Sequence, residues 1–171
     1  MSFVNIRITR IAVTLAIGLI TIGLNADTTQ LVGQPFPQSL IKKPATSDLT
    51  NTEGKIVLYD FWASWCPPCK ASFPVMQRLI EEFGSQGFTV IAVNEDEKTS
   101  KMNRFLKRQR ISFSIVHDDN HELIKMLKVT TMPTAFLVDR EGTIHSVHQG
   151  FHGASSETEY RNQIKSLLAK P

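Results

Sequence analysis

Cysteine is scarce in this chain: only two of its 171 residues are cysteines. Two cysteines cannot build a scaffold stapled by several disulfides, and alone they cannot supply the four ligands of a structural zinc site. Net charge is also low, since 19 Lys and Arg face 16 Asp and Glu and leave an excess of +3. So small an excess does not favour a nucleic-acid partner. No internal repeat is present, and the length suits one globular domain.

The N-terminal segment has the layout of a secretory signal peptide. Arg7 and Arg10 form a basic start, residues 11–24 form an uncharged apolar run, and Ala26 offers a small residue for cleavage. The run is shorter than the roughly 20 residues that a membrane-spanning helix needs. We therefore expect residues 1–26 to be an export signal, with an uncleaved anchor through residues 11–24 as the alternative. Without this segment the remaining 145 residues carry a net charge of only +1.

Apolar periodicity predicts alternating strands and helices in the rest of the chain. Residues 27–52 contain several prolines and are expected to form an extended lead-in to a folded domain at 53–171. Strands are predicted at 55–62, 88–93, 113–116, 134–138 and 143–148. Helices are predicted at 67–85, 99–110, 122–127 and 155–169. This order predicts an α/β fold with helices on both faces of one sheet.

Both cysteines lie in one short motif, Trp65-Cys66-Pro67-Pro68-Cys69, where the first predicted strand is followed by a helix. Side chains three residues apart at a helix start lie on one face, close enough for a disulfide. Unpaired amides and partial positive charge at a helix N-terminus favour a thiolate on the first sulfur. A lowered thiol pKa makes Cys66 the attacking nucleophile, and Cys69 is then the thiol that resolves a mixed disulfide.

Two other uses of the cysteines stay open on the sequence alone. They could form a purely structural disulfide, although so short a loop adds little stability. They could also bind zinc together with histidines, either His117 and His121 or His148 and His152. Because these histidines lack zinc-finger spacing, we favour a redox-active pair that needs no metal or other cofactor.

Two segments carry a family signature. One is residues 60–70 (DFWASWCPPCK), and the other is residues 131–142 (TMPTAFLVDREG). With the Pro-Phe-Pro lead-in and the export signal, they resemble the exported TlpA/ResA-like branch of the thioredoxin superfamily. The resemblance covers about residues 33–169 and implies a thioredoxin fold, which has a central mixed β-sheet with helices on both faces.

The resemblance also implies how substrate binds. Pro133 would form a cis peptide bond beside the cysteine pair, and Met132 would offer its backbone to an extended substrate strand. Trp65 would be an exposed aromatic residue that, with Pro67 and Pro68, contacts the partner protein.

Two acidic residues are candidates for taking the proton of the resolving cysteine. Asp60 matches the family's buried acid, whose pKa an apolar environment raises, although a solvated strand-end position is the alternative. The family's lysine on the second strand is replaced, since Ala92 stands at about that register. Glu97, or else Glu95, matches a glutamate that lines the site in ResA-like proteins, unless this acidic run is a solvated loop.

The predicted helix at 99–110 belongs to a strongly basic stretch. It carries no acid, and its cations are Lys98, Lys101, Arg104, Lys107, Arg108 and Arg110. A solvated helix surface is the common cause of such a pattern, and a face that docks a partner is the alternative.

The resemblance implies an exported thiol–disulfide oxidoreductase, in the periplasm or on the outer face of the cytoplasmic membrane. It favours reduction of protein disulfides, with cytochrome c maturation as a candidate process and with apocytochrome c and a membrane electron donor as candidate partners. A DsbA-like disulfide donor is one alternative, and a non-catalytic peptide-binding or chaperone-like module is another. Sequence does not decide the direction of electron flow, because about 30 mV of reduction potential shifts the equilibrium tenfold.

Overall fold

The computed structural model describes residues 28–41 and 52–170. The predicted export signal at 1–26 and part of the lead-in, residues 42–51, lie outside the described residues. The strands are β1 (Ile56–Trp62), β2 (Phe88–Asn94), β3 (Ser114–His117), β4 (Thr134–Val138) and β5 (Ile144–Gln149). The helices are α1 (Pro67–Phe83), α2 (Thr99–Leu106), α3 (Glu122–Met126) and α4 (Ala154–Leu168).

The five strands form one mixed sheet in the order β3-β2-β1-β4-β5. The first three strands run parallel to one another, whereas β4 is antiparallel to both β1 and β5. Every residue of the central strand β1 is buried, as expected for a near-continuous apolar run covered on both faces. The predicted α/β fold with a central mixed sheet is confirmed.

Alternate residues of β1 divide the core into two layers. Leu58 and Trp62 pack with α1, α2 and α4 on one face, and Asp60 lies between them on the same side of the strand. Tyr59 and Phe61 face the other way, where α3 and the lead-in cover the sheet. The cysteine pair belongs to the first layer.

The described part of the lead-in docks on the β4–β5 hairpin. The Gly33 amide donates to the Ile144 carbonyl at 2.8 Å, and the Phe36 amide donates to the Gly142 carbonyl at 2.9 Å. The Phe36 ring stacks on Tyr59 with 3.8 Å between ring centroids. This segment also contains two short 3₁₀ turns, Thr28–Leu31 and Gln38–Leu40, so it is less extended than the prolines indicated.

One helix is shorter than its periodicity predicted. α2 ends at Leu106 rather than at residue 110, because the amides of Arg108 and Gln109 bond three residues back and close a tighter turn. The half-buried Ile111 then packs on the core. Within residues 28–41 and 52–170, no helix has the length and apolarity that a membrane crossing would need.

Candidate active site

The two cysteines are joined where β1 leads into α1. Cys66 is the residue that caps the helix, and it forms a disulfide with Cys69 across a Cα–Cα distance of 5.4 Å. The Cys66 side chain is only 4% exposed, and Cys69 is fully buried. The Cys69 amide donates a hydrogen bond to Cys66 Sγ at 3.3 Å. The first sulfur is thus the one nearer solvent, and the second lies beneath it.

Two prolines leave this helix start poor in hydrogen-bond donors. Pro67 and Pro68 occupy the first two helical positions, which suits their fixed φ, but neither has an amide hydrogen. Among the described residues, the Cys69 amide is the one donor that contacts Cys66 Sγ. A thiolate formed on Cys66 would therefore have fewer amide partners than at an ordinary helix N-terminus.

The loop before β4 faces the cysteine pair. Its Met132–Pro133 peptide bond is cis. The loop is held by two hydrogen bonds: the Gly150 amide donates to the Pro133 carbonyl at 2.7 Å, and the Thr134 hydroxyl donates to the Thr131 carbonyl at 2.7 Å.

An open groove of about 360 Å³ separates this loop from the helix start. Its lining residues are Trp65, Cys66, Pro67, Pro68, Ile124, Val129, Thr130 and Met132. The Trp65 side chain is 61% exposed at its rim. Four of the five residues expected to bind substrate thus line the groove beside Cys66, whereas Pro133 is not one of its lining residues.

Sequence reasoning missed the wall of this groove. Ile124 comes from α3, and Val129 and Thr130 come from the segment between α3 and the cis proline. Ile124 shows the apolar spacing of an ordinary core residue, so nothing in the pattern marks it as a binding residue. The position of Val129 and Thr130, three and two residues before Met132, is the one available signal in the sequence.

Asp60 is fully buried on the face of the sheet that carries the cysteine layer. Its neighbours on the adjoining strands are Ala92 and Ala135, so the place of the expected lysine is filled by an alanine. Neither carboxylate oxygen has a hydrogen-bond partner among the described residues. Burial raises the pKa of Asp60 well above its ordinary value, because the charged form loses its hydration. The solvated alternative for this residue is therefore wrong.

The two glutamates after β2 have opposite environments. Glu97 is exposed, whereas Glu95 is only 5% exposed and has an oxygen 2.7 Å from His121 Nδ1. Burial, together with the neighbouring Asp118, raises the pKa of Glu95 to about 9. Neither glutamate is among the lining residues of the groove. The expected position of Glu97 at the site is not what the structure shows.

The residue between these glutamates anchors the active-site loop. The Asp96 carboxylate accepts hydrogen bonds from the Ser64 amide at 3.1 Å and from the Ser64 hydroxyl at 2.8 Å. It also accepts one from the Asn94 side-chain amide at 3.0 Å. Asp96 thereby ties the loop that precedes Trp65 to the end of β2, a role that sequence reasoning did not assign.

The histidines considered as zinc ligands are engaged elsewhere. His117 bonds the Asp96 carbonyl at 2.7 Å, and His148 bonds the Gln163 side chain at 2.8 Å. In the part of the chain that the structure describes, no group of three or more His, Cys, Asp or Glu side chains is placed to hold a metal ion. The sulfurs themselves are bonded to each other.

Comparison with known sequences gives one consistent result. The Redoxin family model matches residues 31–164. The thiol-disulfide oxidoreductase ResA of Bacillus subtilis is 35% identical over 118 residues, which is 69% of this chain and 66%, just under two thirds, of the relative. The ResA protein of Oceanobacillus iheyensis is 36% identical over 139 residues, covering 78% of this chain and 72% of the relative.

Solved structures agree with these relatives. A structure described as thiol:disulfide interchange protein DsbE from Chlorobium tepidum is 35% identical with a TM-score of 0.69, covering 74% of this chain and 90% of its own. StoA from Bacillus subtilis is 29% identical with a TM-score of 0.60, covering 71% of this chain and 94% of its own.

Proposed function

Since this chain belongs to the Redoxin family and is a thiol–disulfide oxidoreductase of the ResA type, we propose that it reduces protein disulfides outside the cytoplasm. The reactive pair is Cys66 and Cys69, and the groove that opens on Cys66 receives the substrate. An extended substrate segment pairs with the backbone of the half-buried Met132, which lines the groove with Trp65.

The reaction transfers two electrons in two sulfur exchanges. In the reduced protein the Cys66 thiolate attacks one sulfur of the substrate disulfide, which forms a mixed disulfide and releases the other substrate sulfur as a thiolate. Cys69 then loses its proton and attacks Cys66 Sγ, so that the mixed disulfide breaks and the second substrate thiolate leaves. The substrate gains two electrons, and the protein ends with the Cys66–Cys69 bond that the structure contains.

Asp60 is the proton acceptor in this proposal. It lies buried on the same face of the sheet as Cys69, and its raised pKa makes its carboxylate a stronger base than an exposed aspartate. Glu97 is exposed and lies outside the groove, so we assign it no part in the proton transfer.

The single amide donor at Cys66 supports the reducing direction. Strong oxidants of this kind owe their high reduction potential to a well-stabilised thiolate, and the prolines at the first two helical positions remove donors that would stabilise one. The reduced state of this protein is therefore the less stable one, and it gives its electrons to substrate.

Measurement of the Cys66–Cys69 reduction potential against glutathione tests this direction. We expect a potential below about −220 mV, whereas a value near −120 mV would identify a disulfide donor of the DsbA type. Pro68→Ala restores the amide at the second helical position, which points at a capping side chain, and should raise the potential by about 30 mV or more. Pro67→Ala is the matched control, because an amide at the first position does not reach that side chain.

Export is the second part of the proposal, and the layout of residues 1–26 supports it. We expect intact-mass analysis of the protein from a bacterial envelope fraction to give a chain that starts at Asp27. A membrane-bound chain that keeps residues 1–26 would identify an anchor instead, and an uncleaved chain in the cytoplasm would contradict export.

The partners follow from the compartment and from the resemblance to ResA-like proteins. We propose protein disulfides as substrates, with apocytochrome c as the candidate and cytochrome c maturation as the process. A reduced dithiol in a membrane protein would regenerate the Cys66 and Cys69 thiols after each cycle. The trapping experiment described in the Discussion identifies the substrate directly.

A further inference from the structure

Six cations lie on α2 and its flanks, and two acids lie near this stretch: Glu97 directly precedes Lys98, and the Asp96 carboxylate accepts a hydrogen bond from the Ser64 hydroxyl. We call the side chains of Lys98, Lys101, Arg104, Lys107, Arg108 and Arg110 the basic face. All six are exposed, and among the described residues none forms an ion pair with an acid. By contrast, Arg78 and Arg161 on α1 and α4 both pair with Glu157, at 2.6 and 2.9 Å.

Charge on this molecule is therefore unevenly distributed. Residues 98–110 carry six positive charges and no negative one, whereas the rest of residues 27–171 carry a net charge of −5. A concentration of one sign beside a reactive centre attracts partners of the opposite sign and repels like-charged ones.

Part of the basic face surrounds a depression next to the active-site loop. Lys101, Arg104 and Arg108 line a cavity of about 210 Å³ together with Phe105 and Ser64. The Phe105 ring packs against Trp62 at 5.2 Å between centroids, which fixes the floor of this cavity. An anionic side chain that enters this cavity would meet three cations arranged around an apolar surface.

The cavity is within reach of a substrate held on Cys66. Ser64 precedes Cys66 by two residues, so their Cα atoms are at most about 7 Å apart. An extended substrate segment advances about 3.3 Å per residue. A side chain only a few residues from the substrate cysteine therefore arrives over the basic face when the mixed disulfide forms.

From this arrangement we propose that the basic face selects polypeptide disulfides that carry a glutamate or aspartate within about two to five residues of the attacked cysteine. The inference rests on the proposed reductase function and adds to it a preference among substrates. The cationic side chains act by attraction and orientation of the partner, and they take no part in the sulfur exchange.

Three cyclic peptides with one disulfide each test the preference, identical except for Glu, Gln or Lys at the positions beside the cysteines. We expect the reduced protein to reduce the Glu peptide about tenfold faster than the Gln peptide at low ionic strength, and the Lys peptide more slowly still. The difference should shrink at about 0.5 M salt, where the Debye length falls below about 5 Å. Double replacement of Arg104 and Arg108 by glutamate should reverse the order.

The matched control changes the same charge far from the site. Lys170 lines a surface depression with Ile56, at the opposite end of β1 from the cysteines, and Lys55 directly precedes this strand. Lys55→Glu with Lys170→Glu should leave the order Glu, Gln, Lys unchanged. Unfolding in urea checks that both double variants keep their stability.

Several outcomes would overturn the inference. Equal rates for all three peptides at low salt would do so. So would equal rates combined with binding of the basic face to phosphatidylglycerol vesicles, which would assign this face to a membrane surface. Failure to reduce any peptide would refute the proposed function, and this inference with it, whereas reduction without charge preference would leave the function intact.

Discussion

Replacement of Cys69 by alanine is expected to stop the reaction at the mixed disulfide and to hold the substrate protein covalently on Cys66. Cys66 keeps its position at the start of α1 and its access to the groove, so the first sulfur exchange proceeds. The second exchange has no attacking thiol, and turnover should fall by about 10³-fold or more.

Non-reducing electrophoresis of cell-envelope extracts, followed by mass spectrometry of the adducts, measures this result. The adducts should disappear on treatment with dithiothreitol. Cys66→Ala is the matched control, because it keeps the buried Cys69 but removes the nucleophile and should trap nothing. If Cys69→Ala yields no adduct in cells that contain the substrates, disulfide exchange through Cys66 is refuted and a binding role replaces it.

Asp60→Asn is expected to slow the second sulfur exchange by about 10²-fold at neutral pH, because it removes the base and keeps the shape. Rapid mixing of reduced protein with a peptide disulfide measures this step as decay of the mixed disulfide. In the natural protein the rate should rise with pH until Asp60 is fully ionised, whereas the variant should depend on hydroxide alone. Equal pH profiles for the two proteins would exclude Asp60 as the acceptor.

The same substitution should stabilise the fold, and the gain should grow with pH. Burial holds the pKa of Asp60 above its unfolded value, so the native state binds more protons than the unfolded state between those two pKa values. The contribution of Asp60 to stability is therefore greatest below its unfolded pKa and is lost as pH rises through this window. Asparagine does not ionise, and we expect a gain of about 1–3 kcal/mol at alkaline pH that vanishes near pH 3.

Urea unfolding of the reduced and oxidised proteins across pH 3–9 checks this linkage. Asp96→Asn is a useful contrast, since the Asp96 carboxylate accepts hydrogen bonds from Ser64 and Asn94 and its loss should destabilise the loop. A stability gain from Asp60→Asn together with slower resolution would show that the acid is kept for chemistry rather than for folding.

The sequence predicted most of the structural features that depend on the local pattern of apolar residues and motifs. The near-continuous apolar run of β1 indicated a strand buried on both faces, and the structure buries all seven of its residues. The proximity of the two cysteines followed from their spacing at a helix start. The match of Asp60 with the family's buried acid is reflected in its full burial beside Ala92 and Ala135.

The features that the sequence did not predict depend on contacts between segments that are far apart in the chain. Beyond Asn94 the chain leaves the sheet, so strand alternation no longer says which way a side chain points. Glu95 is buried and Glu97 is exposed, and neither lines the groove at which Glu97, or else Glu95, was expected. Ser64 and Asp96, which are joined by hydrogen bonds, are 32 positions apart in the chain, and no local sequence pattern predicts these bonds.

The amide of Cys69 gives the reaction a kinetic bias. In the oxidised protein this amide donates to Cys66 Sγ at 3.3 Å, and we expect the same hydrogen bond to keep this sulfur beside Cys69 in the mixed disulfide. Well-oriented groups within one molecule react as if at effective concentrations of about 10⁵ M or more, far beyond any thiol in solution. Closure of the internal disulfide should therefore outrun capture of the adduct by a second thiol. The mixed disulfide with each substrate would therefore be short-lived, and few covalent adducts would accumulate.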